Sequence, residues 1–242
     1  MPNCCPVDLQ PVESGYKKKD VHMYITGTGP IGVLVLTDIF GLHPNAYQLA
    51  DTLAAQGFTV IMPDTYKEAG SWPAAAFPPK DGFESAPWLE FYGRATDYDS
   101  HLPTIVACKA MFERLGITRF GTVGMCVGAK QALVAQSRGI IGVVACPHPS
   151  LTTAADGEAA TAPVLLLPAV DDPKEDMNGF LAAISKKPFG DKCSVVFFDE
   201  LRHGFLGARG LAAEASDYTN AATAHGAAKA VQLIVEFFKA NV

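Results

Sequence analysis

Hydrophobic and polar positions form two alternating kinds of pattern along the 242 residues of the chain. Short runs that are apolar at nearly every position are typical of strands buried on both faces of a parallel sheet. Longer segments with apolar residues three or four positions apart predict amphipathic helices. Because the two patterns alternate, we predict an α/β fold with a mostly parallel central sheet and helices on both faces.

The predicted elements follow one another without a break. Apolar runs predict strands at residues 32–37, 58–62, 120–124, 139–146, 164–170 and 193–198. Periodic segments predict helices at residues 46–56, 97–115, 127–138 and 221–239. This continuous series favours one domain over residues 1–242 rather than two separate domains.

The segment from about residue 66 to residue 95 differs from its surroundings, since it contains four prolines and shows little periodicity. A loop of this length in a compact domain is either functional or mobile. We interpret it as a lid-like insertion. Its aromatic residues, Trp88 among them, would form the apolar wall of a substrate pocket or would simply pack in the interior.

Composition and charge exclude several classes of protein. Hydrophobic residues make up 49% of the chain and charged residues 18%, a balance that an extended disordered protein does not have. The formal net charge is −6, and no basic block stands out beyond residues 17–19, so we expect no nucleic-acid partner. The longest apolar run, at residues 162–170, is too short to span a membrane. The N-terminus lacks the pattern of a signal or transit peptide.

Cysteine and histidine usage bears on location and on cofactors. The six cysteines are too few for a disulfide scaffold and indicate free thiols in a reducing compartment, so we expect a cytoplasmic protein. The histidines are scattered, and no His/Cys cluster has the spacing of a zinc site. No glycine-rich phosphate loop follows the first strands. We therefore expect neither a metal nor a cofactor.

The sharpest local pattern is Gly-Met-Cys-Val-Gly at residues 124–128, between a predicted strand and a predicted helix. It matches the small-x-nucleophile-x-small pattern of a nucleophile elbow, with Cys126 as the nucleophile. Glycines avoid collisions in such a tight turn, and the N-terminus of the following helix favours a thiolate. Alternatively, Cys126 is a buried cysteine without a chemical role.

Partners for this cysteine occur in the order that the architecture demands, which is nucleophile, acid and then histidine. Asp171 and Asp172 follow the predicted strand at 164–170, and His203 follows the one at 193–198. Open α/β sheets place their sites at the carboxyl ends of the strands. We therefore expect Cys126, an aspartate and His203 to meet at that edge.

The chain resembles the dienelactone hydrolase (carboxymethylenebutenolidase) family of α/β-hydrolases over nearly its whole length. The resemblance is carried by Thr-Asp-Ile-Phe-Gly-Leu at 37–42, the elbow at 124–128, Asp-Asp-Pro at 171–173 and His-Gly-Phe at 203–205. The Cys-Cys pair at 4–5 and the Cys-Pro-His-Pro-Ser run at 146–150 are similar to a eukaryotic-type branch of the family.

The resemblance implies the α/β-hydrolase fold and a cofactor-independent hydrolase that cleaves an ester or a lactone through a covalent thioester. It implies that Cys126 is the nucleophile and His203 the base. It also implies Asp172 as the acid, since the family acid stands immediately before the turn that the proline marks. The backbone N–H groups of Ile39 and Val127 would form the oxyanion hole.

Two positions depart from the family pattern. Asp38 stands where typical bacterial members have a glutamate that holds the resting thiol, so it gates the thiol with altered geometry, or it caps a strand end and the thiol is gated differently. Arg209 lies one residue later than the substrate-binding arginine of some relatives, so it binds an anionic substrate or lies on the surface. Arg94 is a weaker candidate for a second anion contact.

His148 follows the predicted strand at 139–146, whose carboxyl end should face the same cleft. It either lines the substrate site or belongs to a structural turn held by Pro147 and Pro149. A small-molecule ester or lactone is the expected partner, without a membrane, and the expected assembly is a monomer or a weak dimer.

Two other functions stay open from the sequence. In the first, Cys126 belongs to a redox-responsive protein and is oxidised reversibly, although no second cysteine lies close in sequence to resolve a disulfide. In the second, the chain is a catalytically silent binding module on the same fold, which the complete triad argues against.

Overall fold

Within residues 22–209 and 221–242, which the computed structural model describes, seven strands form one sheet. Their spatial order is β1-β3-β2-β4-β5-β6-β7; β1 is antiparallel to β3, and all other pairs are parallel. The strands are β1 (Met23–Thr26), β2 (Ile31–Leu36), β3 (Phe58–Pro63), β4 (Phe120–Gly124), β5 (Val144–Pro147), β6 (Val164–Leu167) and β7 (Ser194–Val195).

Helices cover both faces of this sheet. They are α1 (Pro44–Ala55), α2 (Ala86–Ala95), α3 (Tyr98–Arg114), α4 (Val127–Ser137), α5 (Ala154–Ala159), α6 (Lys174–Ile184) and α7 (Ala221–Asn241). Side chains of a strand point alternately to its two faces. In β2, Val33 and Val35 accordingly pack with α1 and α7, whereas Leu34 and Leu36 pack with α3, α4 and α6. The α/β fold with a mostly parallel sheet that the apolar runs predict is confirmed.

The parallel register gathers several loops at one edge. Leu36 of β2 lies beside Gly124 of β4, and Val123 of β4 lies beside Ala145 of β5. Beyond the ends of β4 and β5, an isolated bridge joins Cys126 to Pro149. The chain segments that leave β2, β4 and β5 therefore run close together at the carboxyl ends of the strands.

Most predicted elements agree with the structure within a few residues, but the predicted strand at 139–146 was wrong over its first half. Helix α4 ends there instead: Gly139 has φ +71°, and the amide of Ile140 donates to the carbonyl of Ala135. Residues after the helix therefore belong to its glycine-terminated end. Because they are apolar, the hydrophobic pattern alone assigns them to a strand. The predicted strands at 164–170 and 193–198 are also shorter than expected, and beyond them only a bridge between Ala169 and Phe198 continues the pairing.

The segment at 66–95 contains a helix that the sequence analysis missed. Helix α2 starts after Ser85 with Pro87 in its first turn, which is a recognised start signal, and it buries Trp88, Phe91 and Ala95. Two short 3-10 turns precede it. Strand β1 and helices α5 and α6 were likewise not predicted.

This segment is tied to the end of β2. The hydroxyl of Tyr66 donates to the carbonyl of Asp38 at 3.1 Å, and the amide of Trp72 donates to the carbonyl of Ile39 at 2.9 Å. Aromatic side chains of the segment pack edge to face or tilted against one another. We call them the aromatic cluster, which consists of Tyr66, Trp72, Phe77, Phe83, Trp88, Phe91 and Tyr92.

Some sequence features lie outside the described residues, namely the Cys4-Cys5 pair and the lysines at 17–19. In the part of the chain that the structure describes, no helix is both long and apolar enough to cross a membrane.

Candidate active site

Cys126 occupies a strained turn between β4 and α4. Its φ is +54°, a left-handed value that non-glycine residues rarely adopt. A Cβ on Gly124 would lie 2.4 Å from the carbonyl oxygen of Gly128, and a Cβ on Gly128 would lie 2.5 Å from that of Leu36. The two glycines are therefore required sterically for the backbone to pass so close to β2.

His203 and Asp172 form a buried pair beside this turn. Nδ1 of His203 lies 2.6 Å from Oδ1 of Asp172, and both side chains are almost fully buried. The other carboxylate oxygen of Asp172 accepts the backbone amide of Ala169 at 2.7 Å. Because both oxygens are bonded, the carboxylate holds the imidazole in one orientation.

The imidazole of His203 also interacts with the thiol of Cys126. Burial on its own would lower the pKa of His203, but the negative charges of Asp172 and of the Cys126 thiolate, together with their hydrogen bonds, raise it well above its usual value. The direction of this shift favours a protonated imidazole between Asp172 and Cys126. The structure brings the three predicted triad residues together.

Asp171, the other candidate acid, bonds the backbone of His203 rather than its ring. Its Oδ1 accepts the backbone amide of His203 at 2.6 Å, and its Oδ2 lies 3.7 Å from Nε of Arg202. Asp172 thus contacts the imidazole ring, whereas Asp171 positions the backbone of the same histidine.

The two proposed oxyanion donors lie against the nucleophile. Ile39 and Val127 are buried in the same apolar cluster as Cys126. Val127 is the first residue of α4, and the first amides of a helix have no acceptor within it. The amides of Phe40 and Gly41, which follow Ile39, donate to the side chain and carbonyl of Asp38. The amide of Ile39 is then the candidate donor of that turn.

Asp38 is buried, and its carboxylate contacts residues of its own turn. Oδ1 accepts the amide of Phe40 at 2.9 Å and lies 3.3 Å from Nε2 of His43. Oδ2 has no hydrogen-bond partner among the described residues and faces Gly207, where a Cβ would approach it to 2.5 Å. These contacts correspond to a turn-stabilising role, and its predicted part in thiol gating stays a prediction.

The two arginine candidates have different surroundings. Arg209 is only 3% exposed, and its Nε donates to the carbonyl of His203 at 2.8 Å, so it is not on the surface. Arg94 forms an exposed ion pair with Glu90 at 2.8 Å. It lines a separate open cavity of about 940 Å³ with residues such as His101, and no triad residue lines that cavity. The structure therefore does not bring Arg94 to the triad.

His148 lies in the interior next to the triad. Its ring is 5.0 Å from that of His203 and 5.2 Å from that of Phe205, both edge to face. Burial, and then the positive charges of His203 and Arg209, lower the pKa of His148 well below its usual value. The residue has φ +38°, and its amide donates to the carbonyl of Leu167. It lies in a buried, tight turn, as the structural interpretation expects, and its part in lining the substrate site stays a prediction.

Trp88 is 3% exposed and belongs to the aromatic cluster, which packs in one apolar unit with Ile39, Cys126 and Val127. The aromatic cluster and the nucleophile thus belong to one apolar unit, and the part of the cluster as a pocket wall stays a prediction.

Ser150 is a neighbour of the nucleophile that the sequence analysis did not single out as a site residue. Its Oγ lies 3.3 Å from Sγ of Cys126. The pairing of β4 with β5 was the available signal, since residues that follow neighbouring parallel strands meet at one edge.

Comparisons with known proteins identify the family of the chain. The model of the dienelactone hydrolase family matches residues 23–242, and the chain belongs to this family. It is therefore a hydrolase of the dienelactone hydrolase kind.

Three individual proteins show how similar the chain is to known sequences and structures. The chain is 31% identical to an uncharacterized AIM2 family protein of Schizosaccharomyces pombe, with 86% of this chain and 89% of that protein covered. It is 27% identical to the hydrolase pyvD of Aspergillus violaceofuscus, over 72% and 69% of the two chains. Among solved structures, the dienelactone hydrolase-like promiscuous phosphotriesterase P91 from metagenomic libraries has a TM-score of 0.65 and 19% identity, with 89% of this chain and 88% of that chain covered. At that identity the likeness shows the fold alone.

Proposed function

We propose that the protein hydrolyses carboxylic esters or lactones without a cofactor, through a covalent thioester on Cys126. The observation that carries this proposal is the buried series of contacts from Asp172 through His203 to Cys126. A thiol held against an oriented imidazole is the arrangement of nucleophilic acyl transfer.

The chemistry divides into acylation and deacylation. In acylation, Sγ of Cys126 attacks the carbonyl carbon, and His203 then gives its proton to the alkoxide that leaves. In deacylation, neutral His203 takes a proton from water, which attacks the thioester and releases the acid and the thiolate. In a lactone the alkoxide stays joined to the acyl group, so the product is one hydroxy acid.

Two groups stabilise the charges that develop. The amides of Ile39 and Val127 would donate to the oxyanion of each tetrahedral intermediate, which is the largest single contribution in many such sites. Asp172 keeps Nδ1 of His203 protonated, so that Nε2 is the atom that exchanges protons.

The aromatic cluster supports a further detail of the substrate. Because it packs with Cys126, Val127 and Ile39, groups next to the reacting carbonyl meet apolar side chains. Arg94 is held in an exposed ion pair with Glu90, whereas Arg209 is a buried arginine that bonds the carbonyl of His203. We propose that the substrate is an apolar ester or lactone with at most one anionic group. Beyond the triad, Arg209 and His148 would contact that anionic group, and Trp88 would contact the apolar part.

The thiol mechanism also requires reduced Cys126, which supports the proposal of a reducing, cytoplasmic location. The redox alternative gains less support, since Cys126 is only 1% exposed and reversible oxidation favours accessible thiols.

The test is hydrolysis of p-nitrophenyl acetate, butyrate and benzoate and of small unsaturated lactones by the wild type and by Cys126→Ala. We expect the variant to lose at least about a thousandfold in kcat/KM. Cys193→Ser is the matched control, because Cys193 is a half-buried thiol far along the chain from the elbow. Wild-type protein that hydrolyses none of these compounds, or Cys126→Ala that equals it, would refute the proposal.

A further inference from the structure

The hydroxyl of Ser150 is held beside the nucleophile by the backbone. The amide of Ser150 donates to the carbonyl of Cys126 at 3.1 Å, and Pro149 forms an isolated bridge with Cys126. Oγ of Ser150 then lies 3.3 Å from Sγ of Cys126, and the serine is 6% exposed. The contact is therefore built into two buried, bonded turns rather than made by a free surface side chain.

The turn that carries Ser150 has an uncommon backbone. His148 has φ +38° and Leu151 has φ +58°, and neither is a glycine. Such values cost free energy and persist only where the surroundings determine them. Here the amide of His148 is bonded to Leu167, and Oγ1 of Thr152 donates to the carbonyl of Ser150 at 3.4 Å.

Electrostatics decides the direction of the bond between Ser150 and Cys126. A thiolate only accepts hydrogen bonds, and a buried anion needs donors around it. A protonated His203 would supply positive charge beside this sulfur. Asp38 is the gating group that the resemblance implies, but its Oδ1 contacts Phe40 and His43, and an ionised carboxylate cannot donate a hydrogen bond.

We propose that Ser150 is a catalytic residue that donates its hydroxyl hydrogen bond to the Cys126 thiolate in the resting enzyme. This inference rests on the proposed function, since it concerns the same nucleophile. The bond favours the free thiolate over the acyl-enzyme, because a thioester sulfur is a weak acceptor. It raises the fraction of thiolate near neutral pH and lowers the intrinsic nucleophilicity of the sulfur.

These two effects have opposite signs and separate this role from a merely structural one. Without the donor, the pH midpoint of Cys126 alkylation should rise by about one unit or more, since hydrogen bonds to charged groups have that strength. Above the new midpoint, the limiting alkylation rate should increase about threefold per unit, because thiolate nucleophilicity rises with basicity. Loss of packing alone would change neither quantity in this coupled way.

The experiment measures iodoacetamide alkylation against pH in the full-length protein, with the Cys126 peptide quantified by mass spectrometry. The variants are Ser150→Ala and the isosteric pair Ser150→Thr and Ser150→Val, of which only Thr keeps the hydroxyl. Ser137→Ala is the control, because it removes a serine hydroxyl that bonds the carbonyl of Val134 in helix α4 rather than Sγ or the turn of Ser150. We expect upward shifts for Ala and Val, and wild-type midpoints for Thr and for the control.

A midpoint that is equal in Ser150→Ala and wild type, or in the Thr and Val pair, would overturn the inference. If Ser150→Ala does not fold, the Thr and Val pair decides alone. Alkylation does not depend on ester turnover, so the two proposals fail separately. Wild type that hydrolyses no ester refutes the function, whereas an active wild type with unshifted variants refutes only the role of Ser150.

Discussion

Nδ1 of His203 lies 2.6 Å from Oδ1 of Asp172, while the backbone amide of the same histidine lies 2.6 Å from Oδ1 of Asp171. Adjacent aspartates thus hold one histidine at two different points. Only the bond from Asp172 acts on the ring that exchanges protons, so the two carboxylates should differ sharply in their effect on turnover.

We expect Asp172→Asn to lower kcat by about 10³–10⁴-fold, because an amide no longer stabilises the imidazolium or fixes its tautomer. Asp171→Asn is the matched control. It keeps an oxygen that accepts the amide of His203, so its kcat should stay within about tenfold of wild type. Steady-state kinetics on a p-nitrophenyl ester checks both, and equal losses would show that the distinction between the aspartates is wrong.

The elbow glycines provide a prediction of stability. A Cβ on Gly128 would lie 2.5 Å and 2.6 Å from the carbonyl oxygens of Leu36 and Thr37, which are backbone atoms that cannot rotate away. We expect Gly128→Ala to lower the free energy of unfolding by about 3 kcal/mol or more. Gly93→Ala, in helix α2 with open space around it, should instead raise it by about 0.5–1 kcal/mol. Urea unfolding measures both, and a neutral Gly128→Ala would contradict the close approach.

His148 should make the fold sensitive to acid. Burial first, and nearby positive charge second, hold the pKa of His148 below its usual value. Its stabilising contribution is complete above the unfolded-state pKa of about 6.5, and it falls with pH because only the unfolded chain takes up the proton, by up to about 1.4 kcal/mol per pH unit. His203 has the opposite shift, so its contribution is lost only as pH rises through its raised pKa.

We therefore expect His148→Phe to lose less unfolding free energy than wild type between pH 6.5 and pH 5, by urea unfolding at several pH values. The change in unfolding free energy with pH tests this prediction, rather than the unfolding free energy at any one pH. His22→Gln, which changes an exposed histidine, should keep the wild-type slope. Parallel curves for wild type and His148→Phe would mean that His148 is protonated in the fold.

The aromatic cluster should determine preference for the acyl group. Trp88→Leu removes a large buried ring from the apolar unit that contains Cys126. We expect the ratio of kcat/KM for p-nitrophenyl benzoate to that for acetate to fall about tenfold, the scale of a changed apolar pocket contact. Phe112→Leu is the control, since Phe112 packs with Leu34 and Leu36 in a different apolar cluster from that of Cys126. An unchanged ratio in Trp88→Leu would place the acyl group elsewhere.

The sequence predicts the framework of this site better than its immediate surroundings. The strands that precede Asp38 and Cys126 are short, mostly apolar runs with clear ends. The elbow glycines have a steric meaning that can be recognised without coordinates. The triad order then follows from the parallel topology. The choice of Asp172 over Asp171 needed the family resemblance, because both residues end the same strand.

What the sequence did not reveal depends on local backbone geometry. The contact between Ser150 and Cys126 requires positive φ values at His148 and Leu151, and residues of these types carry no such signal. Helix α2 was missed because Pro87 and the aromatic residues of the helix obscured the period of its buried face. Arg94 was weighed by residue type alone, and the structure places it in an ion pair away from the triad.

The other thiols offer an internal reference for the nucleophile. Burial raises the pKa of Cys108 to about 12, and burial together with Asp156 also raises the pKa of Cys146. Both shifts disfavour the thiolate at neutral pH, so we expect a covalent intermediate on Cys126 alone among these three.

Acid quenching during turnover of p-nitrophenyl butyrate, followed by peptide mass spectrometry, tests whether Cys126 carries the acyl group. We expect a butyryl thioester on the peptide that contains Cys126, which disappears when the ester is exhausted and is absent from Cys126→Ala. Turnover with no acyl group on Cys126, or with the acyl group on another residue, would contradict it.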